Sequence, residues 1–567
     1  MEPYYSKKKI TLDYFIIFFV YFFAHFFLLV IDGLFWDDYV WVGNTFQDYF
    51  VFSQMLYGLK FPGFVFAFIY MLPPQVSRII VFFVWLVIGF LLYMILLGES
   101  VSRHENIFFV LLFLLMPLNI SIYTLCVAPY SFYFFLFAIA SFLFFKFYSN
   151  YHKKSFLTLR ILNLIFFYIS FHMNSLLSFY AVPIFYIYIL YRRKEVGEKG
   201  LLKITWVILK KYPDFISLPF IFFLIKVTSM NFNLIYLDGI YSQIGYNKIS
   251  LTSMMKSVYL VFYWFVEIFP TIIKRLLWVI HIEISTFLIT SISTIFFVVY
   301  KNIRKKKKAQ EKTQSVYNSK GFVLFGLFSF YFGAMPYISI GLHFDPNGWN
   351  SRNLILLSFG VVLFILGLYQ FFHYRILKNK FDFSYVMFIL IVLLVMFHYH
   401  TGKAFFYDNM KQKSIIYHFR NNSIIRNNNV FLINDETKML NAFRSYNYYE
   451  YTGLFYISFN ESTRIATDVH LRSELKGIYV RFLNLYRSLE DEKPDYIFHH
   501  GLTAPSLITA AKFVHNHSSV FLSADNHVDH NISGRNSVKN TLFYEVHWKR
   551  TLNKWIKYID LVFGVTP

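Results

Sequence analysis

Two adjacent carboxylates, Asp37 and Asp38, are the residues whose types and spacing most readily suggest chemistry. They lie in DGLFWDDYVW, directly after a run of about twenty apolar residues. Neighbouring carboxylates repel each other, so either one of them keeps a proton or the pair shares a cation or a basic partner. Both arrangements suit general-base work on a hydroxyl, or metal-assisted displacement of a phosphate leaving group. The alternative is a polar stop at a helix end, with Trp36 and Trp41 as interfacial aromatic residues.

A second group of polar residues lies in the segment LHFDPNGWNSRN, residues 342–353, between two apolar runs. It holds His343, Asp345 and Arg352 within a short turn-forming stretch. The positive-inside rule disfavours an arginine in an extracytoplasmic loop. Its guanidinium group, however, matches the oxygens of a phosphate. We therefore expect Arg352 to bind the phosphate of a lipid carrier. A salt bridge to an acid of the first loop, or a headgroup contact, is the alternative.

The remaining candidates have ordinary structural roles open to them. Lys60 and Arg78 could hold a diphosphate near Asp37, although anchoring at the membrane interface is the more common role for such residues. His172 lies in a turn between two apolar runs and could line an external cavity, or be a satisfied turn residue. The segment HVDH, residues 527–530, has metal-ligand residue types, but its spacing matches no familiar site.

The composition is typical of a membrane protein. The chain is 57% hydrophobic and 15% charged, whereas soluble domains carry about 25% charged residues. Its apolar runs are long enough to cross a bilayer. We assign the net charge of +22 to short cytoplasmic loops, and expect no nucleic-acid partner. The single cysteine, Cys126, excludes an internal disulfide and cysteine-based zinc sites.

The apolar runs predict about eleven transmembrane helices. We place them near residues 11–31, 79–97, 107–126, 131–147, 159–171, 176–191, 215–230, 284–300, 321–341, 353–372 and 384–401. Three lysines precede the first run, and the loops on the same side carry most of the loop lysines and arginines, so the N-terminus is predicted to be cytoplasmic. The prediction is a membrane domain, 1–401, with a long first external loop, 32–78, and a soluble extracytoplasmic domain, 402–567.

The last part of the chain has the patterns of a small α/β domain. Short runs rich in β-branched and aromatic residues at 429–435, 495–499 and 519–523 predict strands. Residues 505–514 have a helical pattern. Because the domain follows an odd number of predicted spans, we expect it to lie outside the membrane.

This arrangement resembles the GT-C superfamily of membrane glycosyltransferases. The acidic pair directly after the first span carries the resemblance in sequence, and the long first external loop, the number of spans and the external C-terminal domain extend it to the architecture. The resemblance implies a sugar donor carried on polyprenyl phosphate, a glycan or protein acceptor, and contact with membrane lipids. It also implies an integral protein of a bacterial cytoplasmic membrane that acts on the cell envelope.

Under this resemblance Asp37 is the base that activates the acceptor hydroxyl, or a ligand of a cation. Asp38 orients Asp37 or helps to bind a divalent cation, Mg²⁺ or Mn²⁺, and Arg352 neutralises the leaving phosphate. A glycan polymerase, or a flippase or transporter, remains an alternative. Coupled transport is disfavoured because the predicted spans are almost free of Asp and Glu. A non-catalytic membrane scaffold is a third hypothesis.

Overall fold

The chain folds as two compact units. The computed structural model describes residues 7–43, 45–48, 50, 60–97, 102–148, 153–194, 201–230, 251–282, 319–376, 384–421, 423–427, 430–435, 440–461, 464–468 and 496–500. The first unit comprises Met1–Val30 and Asp48–Gly402, and the second comprises Ile31–Gln47 and Lys403–Pro567.

The first unit is helical in the residues described. Its α-helices are α1 (Lys7–His25), α2 (Lys60–Met71), α3 (Pro74–Leu96), α4 (Arg103–Leu114), α5 (Ala128–Phe147), α6 (Leu157–Ser170), α7 (Asn174–Phe179), α8 (Ala181–Lys194), α9 (Leu201–Lys211), α10 (Pro213–Met230), α11 (Leu251–Ile282), α12 (Ser319–Ser339) and α13 (Leu357–Gln370). Short 3-10 segments are Phe26–Leu29, Ile120–Tyr123, Leu125–Val127, Lys154–Phe156 and Gly348–Leu354, and a π-helical turn covers Phe371–Ile376. Helix α14 (Ser384–Asn421) has residues in both units.

Five helices of the described chain are long and apolar enough to cross a membrane. They are Ile10–Leu29, Pro74–Leu96, Leu125–Phe147, Ser319–Ser339 and Val386–Asn421. Each overlaps one of the predicted spans, namely the first, second, fourth, ninth and eleventh. The helices are thus consistent with a helical membrane protein, as the composition predicts, while the number of eleven spans and their orientation stay predictions.

Several predicted spans differ in the structure. The predicted span 107–126 is broken, because α4 ends at Leu114 and Pro117 follows, a residue that has no N–H to continue the helix. Residues 251–282, where the sequence analysis places no span, form the 32-residue helix α11. The predicted span 284–300 lies outside the described residues.

Glycines bring α12 and α13 close together. A Cβ atom at Gly326 would lie 2.6 Å from the backbone nitrogen of Phe364, and one at Gly360 would lie 2.5 Å from that of Phe330. No side chain fits at these distances, so the two backbones can approach only because both residues are glycine. Small residues commonly allow such close packing between membrane helices.

Polar side chains inside the first unit bond across helices. The indole N–H of Trp85 in α3 donates to the hydroxyl of Ser131 in α5 at 3.1 Å. The guanidinium Nε of Arg103 donates to Asp13 Oδ2 at 2.8 Å, and Asp13 is buried. These bonds satisfy groups that would be costly to leave unpaired in an apolar interior.

The second unit contains a small parallel sheet. Its helices are α15 (Ser423–Asn427) and α16 (Tyr448–Phe459), and its strands are β1 (Val430–Asp435), β2 (Ile465–Asp468) and β3 (Tyr496–His500). The strand order is β2–β1–β3, with both pairs parallel. Strands β1 and β3 lie at two of the predicted strands, whereas β2 was not predicted. The predicted helix 505–514 and strand 519–523 lie outside the described residues, so the complete α/β domain stays a prediction.

The segment Ile31–Gln47 belongs to the second unit, although the sequence analysis places 32–78 in the membrane domain. The reason is apolar packing: the fully buried side chain of Tyr39 lies in one core with Phe419 and Phe455. This packing fixes the segment that carries the acidic pair on the second unit.

Candidate active site

The acidic pair lies on a short 3-10 helix, Trp36–Trp41, which we call the acidic turn. Asp38 Oδ2 accepts a hydrogen bond from the backbone N–H of Phe35 at 3.1 Å, and Asp38 is 2% exposed. This bond satisfies a donor at the start of the turn, as a capping side chain does. Trp36 has a left-handed backbone, with φ of 50°, which costs about 1–3 kcal/mol in a residue other than glycine. The surrounding structure must therefore hold the turn in place.

Asp37 differs from its neighbour because it is partly exposed. The hydroxyl of Tyr449, near the start of α16, donates to Asp37 Oδ1 at 3.3 Å. Burial, and then the charge of Asp37, raise the pKa of Tyr449 well above its ordinary value, and the same two causes raise the pKa of Tyr448. Tyr449 thus stays a hydrogen-bond donor at neutral pH. Of the two acids, Asp37 is the one that is partly open to solvent, and Asp38 is buried in a structural contact.

Arg444 stabilises the acidic turn by packing against its aromatic side chains. Its guanidinium lies 5.5 Å from the ring centre of Phe35 and 5.3 Å from that of Trp36. It also pairs with Asp408, and its Nε donates to Glu450 Oε1 at 2.7 Å. These contacts to aromatic faces and carboxylates explain how the strained turn is held.

The ion pairs of Arg444 shift the acid–base properties of its neighbours. Burial lowers the pKa of Arg444, but Asp408 and Glu450 more than offset this, so its pKa is raised overall. Burial raises the pKa of Glu450, and Arg444 limits that rise. Glu450 also accepts the backbone N–H of Asn447 at 2.9 Å, which caps α16 and so positions Tyr449 beside Asp37.

A second buried ion pair lies next to the first. Lys411 Nζ is 2.5 Å from Asp435 Oδ2, at the end of β1, and 2.5 Å from Asn441 Oδ1. The side chains of Lys411 and Asp435 are completely buried. Sequence reasoning missed Asp408, Lys411, Asp435, Arg444 and Glu450. The sequence signal that could have indicated this site was Asp408 and Lys411, two charged residues three positions apart where an apolar helical run continues.

Asp32, the third acid of the opening motif, is exposed and paired. Its Oδ1 is 2.6 Å from Lys413 Nζ and accepts the Asn409 amide at 2.9 Å. Burial alone would raise its pKa, but these two hydrogen bonds outweigh it and lower the pKa. Asp32 is therefore held as a carboxylate by Lys413 and the buried Asn409.

The predicted phosphate-binding residues belong to the first unit. Arg78 is 1% exposed, and its Nε donates to the carbonyl of Tyr123 at 2.7 Å. Arg352 lies partly buried on the 3-10 segment Gly348–Leu354. Lys60 is the first residue of α2, and its side chain lies outside the described residues. Asp37 belongs to the second unit, and the pairing of these groups with Asp37 stays a prediction.

The loop of residues 342–353 is organised around Asp345. Its two oxygens accept the backbone N–H of Asn347 at 2.9 Å and the Asn350 amide at 3.2 Å. Arg275 of α11 donates to the carbonyl of Pro346 at 2.5 Å. Asp345 therefore closes a local turn, while His343 is exposed.

His172 is buried rather than lining an open surface, with 6% exposure. Its ring lies 5.4 Å from that of Phe222. Burial, and then the charge of Lys226, lower the pKa of His172 to about 4. His172 is therefore neutral at pH 7.

The acidic turn does not supply the ligands of a cation site. Among the residues that the structure describes, no group of three or more His, Cys, Asp and Glu side chains could hold a metal ion. Asp38, the residue predicted as a metal ligand, is buried and caps the turn. A bound Mg²⁺ or Mn²⁺ stays a prediction.

An apolar cavity of about 110 Å³ lies within the first unit. Phenylalanine and aliphatic side chains of α3, α5, α8, α12 and α13 line it, and Ser141 and Tyr186 bring hydroxyl groups. A cavity of this composition suits a hydrocarbon chain.

A smaller cavity of about 30 Å³ lies beside two histidines. The rings of His25 and His398 are 4.4 Å apart, and their exposures are 1% and 3%. His398 Nε2 is 3.0 Å from the carbonyl oxygen of Leu115. Polar residues that also line this cavity are Tyr21, Asn119 and Ser358. The space is large enough for a water molecule.

No protein-family model matches the chain, and neither a curated protein nor a solved structure matches it significantly.

Proposed function

We propose that the chain is a membrane glycosyltransferase that moves a sugar from a polyprenyl-phosphate carrier to a glycan or protein acceptor on the extracytoplasmic face. The observation that carries the proposal is the unequal pair on the acidic turn. Asp38 is buried and caps the turn, whereas Asp37 is partly exposed beside the hydroxyl of Tyr449. A fixed, accessible carboxylate with a positioned donor is what general-base chemistry on a hydroxyl requires.

In the proposed reaction Asp37 takes the proton of an acceptor hydroxyl as that oxygen attacks the anomeric carbon of the donor sugar. The new glycosidic bond forms while the bond from the anomeric carbon to the carrier phosphate oxygen breaks. The phosphate leaves with the electron pair of that bond, and Arg352 neutralises its charge. Tyr449 holds the carboxylate in position before the proton moves.

The proposed architecture has about eleven spans, a cytoplasmic N-terminus and an extracytoplasmic C-terminal α/β domain, in a bacterial cytoplasmic membrane. The apolar cavity of the first unit supports a lipid-linked donor, because it offers space for a segment of a hydrocarbon chain. Lys60 is a further proposed contact of the carrier phosphate, whereas the buried Arg78 bonds to the carbonyl of Tyr123 instead. His343 and Asp345 are proposed to shape the loop that presents Arg352.

Two asparagine substitutions test the proposal. We expect Asp37→Asn to lower transfer by about 10²–10⁴-fold, because an amide cannot accept the proton. Asp38→Asn keeps an oxygen that can accept the Phe35 N–H, so we expect activity within about tenfold of wild type. Tyr449→Phe should give an intermediate loss. Full transfer by Asp37→Asn, at wild-type expression, would refute a role for this carboxylate.

The assay is mass spectrometry of envelope glycans from cells with and without each variant. Asp38→Leu is the matched structural control, since it removes the cap and should lower folded protein rather than activity per folded molecule. Retained activity in both asparagine variants, together with loss in Arg352→Ala, would favour a glycan polymerase instead.

A proton-coupled transporter is a second candidate, favoured by the buried pair His25 and His398 and the adjacent cavity. Ionisable side chains within membrane helices often mark the path of an ion or proton. This candidate predicts that His25→Phe abolishes movement of a lipid-linked glycan, while Asp37→Asn leaves it unchanged. The glycosyltransferase hypothesis predicts the reverse: Asp37→Asn abolishes activity and His25→Phe leaves it unchanged.

A further inference from the structure

Lys226 lies where an apolar helix surface ends. The residues directly before it on α10 are exposed apolar side chains, with Phe223 at 57%, Leu224 at 63% and Ile225 at 40%. Lys226 itself is partly buried, and its ammonium group donates to the Asn174 side-chain oxygen. In the described part of the chain no carboxylate contacts Lys226. Its positive charge thus has a neutral amide as its protein partner.

At the other end of α10 a cation is paired with a carboxylate. There Asp214 accepts a hydrogen bond from Arg160 Nε of α6 at 2.6 Å. Lys226 lies roughly three turns further along α10, about 18 Å away at 1.5 Å per residue. The two ends of the helix therefore differ: Arg160 has an acidic partner, and Lys226 has none among the described residues.

A second base lies close to Lys226. His172 is buried, and it packs against Phe222, four residues before Lys226 on the same helix. Burial and the charge of Lys226 keep the imidazole of His172 neutral. The partly desolvated ammonium group of Lys226 is costly unless an anion compensates it. The described residues supply no such anion.

We propose that Lys226 and Asn174 bind the phosphate group of a membrane lipid. The Lys226 ammonium offers several donors, and the Asn174 amide keeps N–H donors after its oxygen has accepted from Lys226. Phosphate supplies both the negative charge and the acceptor oxygens, and charge-assisted bonds of this kind are among the strongest.

The adjacent apolar surface identifies the source of the phosphate. A lipid places its acyl chains and its phosphate at neighbouring depths, which matches Phe223 and Leu224 beside Lys226. Basic side chains commonly extend to this depth from the end of an apolar helix. The site is independent of the acidic turn and does not depend on the proposed transfer reaction.

The test uses the full chain in maltoside detergent, which contains no phosphate. Native mass spectrometry measures binding of phosphatidic acid, with diacylglycerol as the lipid that lacks phosphate. We expect one tight phosphatidic acid site in wild type, and about tenfold or greater weakening in Lys226→Met. Lys226→Arg should keep the site. Lys210→Met is the matched control, because Lys210 is an exposed lysine of α9, and it should bind like wild type.

Each alternative outcome overturns the proposal. Equal binding by wild type and Lys226→Met would do so, as would equal weakening by Lys210→Met. If inorganic phosphate alone stabilises wild type but not Lys226→Met, the ligand is a soluble anion rather than a lipid. Thermal unfolding without lipid adds a folding check: Lys226→Met should be at least as stable as wild type. A fall in its unfolding temperature would make Lys226 a structural contact.

Discussion

Replacing Arg444 by methionine tests the structural basis of the candidate site. The side chains of Asp408 and Glu450 are completely buried, and that of Arg444 is 5% exposed. Methionine fills much of the same space but leaves two buried carboxylates without their cation. Breaking a buried ion pair in this way costs about 3–5 kcal/mol. The variant should therefore destabilise the acidic turn and α16 rather than the first unit.

Hydrogen–deuterium exchange with mass spectrometry gives a local measurement of this cost. At about 1.4 kcal/mol for each factor of ten, exchange of the α16 amides should accelerate roughly 10²–10³-fold. Arg420→Met is the matched control, because exposed Arg420 donates to the carbonyls of Ser458 at 3.0 Å and Ile457 at 2.9 Å, at the end of the same helix. Its loss should accelerate exchange less than about tenfold.

A rescue experiment separates charge from packing. Adding Asp408→Asn and Glu450→Gln to Arg444→Met removes both orphaned charges, so most of the protection should return. Burial raises the pKa of Glu450, so in Arg444→Met alone this carboxyl takes up a proton as the pH falls towards about 4, and part of the protection should recover. Wild-type exchange rates in Arg444→Met, or no recovery in the triple variant, would refute the charge-compensation argument.

Three further predictions concern stability, each measured by unfolding in detergent. The pKa of His172 is about 4 in the folded protein, below the ordinary 6.5, so about 3 kcal/mol of stability that is present above pH 6.5 is lost as the pH falls to 4. In phosphate-free buffer, His172→Phe should remove this pH dependence of stability. An unchanged pH profile in the variant would contradict the prediction. Gly360→Val should prevent α12 and α13 from packing. Gly348 has a φ of 58° and open space around it, so Gly348→Ala should lower the free energy of unfolding by only about 1 kcal/mol. Similar losses of stability in both variants would disprove the close-packing argument. Lys411→Met leaves Asp435 buried without its cation, so the free energy of unfolding should fall by about 3–5 kcal/mol. Lys413→Met, at the half-exposed pair with Asp32, should lower it by under about 1 kcal/mol.

The sequence by itself determined where long apolar helices form. Long uncharged apolar runs are a local property, and five of the predicted spans coincide with helices long enough to cross a membrane. The strand pattern at 429–435 is also local, and β1 forms there. The acidic pair was visible because two carboxylates among aromatic residues are unusual next to a span. Each of these features depends on neighbours within about twenty residues.

Only the tertiary structure decided how the two acids differ. Asp37 and Tyr449 are 412 positions apart, yet they share a hydrogen bond. The core that attaches Tyr39 to the second unit, and the buried ion pairs around Arg444, likewise join segments from distant parts of the chain. No periodicity or motif encodes such contacts, because burial and charge pairing depend on which helix faces meet after folding. Adjacent residues of the same type thus acquired opposite roles, Asp38 as a cap and Asp37 as the accessible carboxylate.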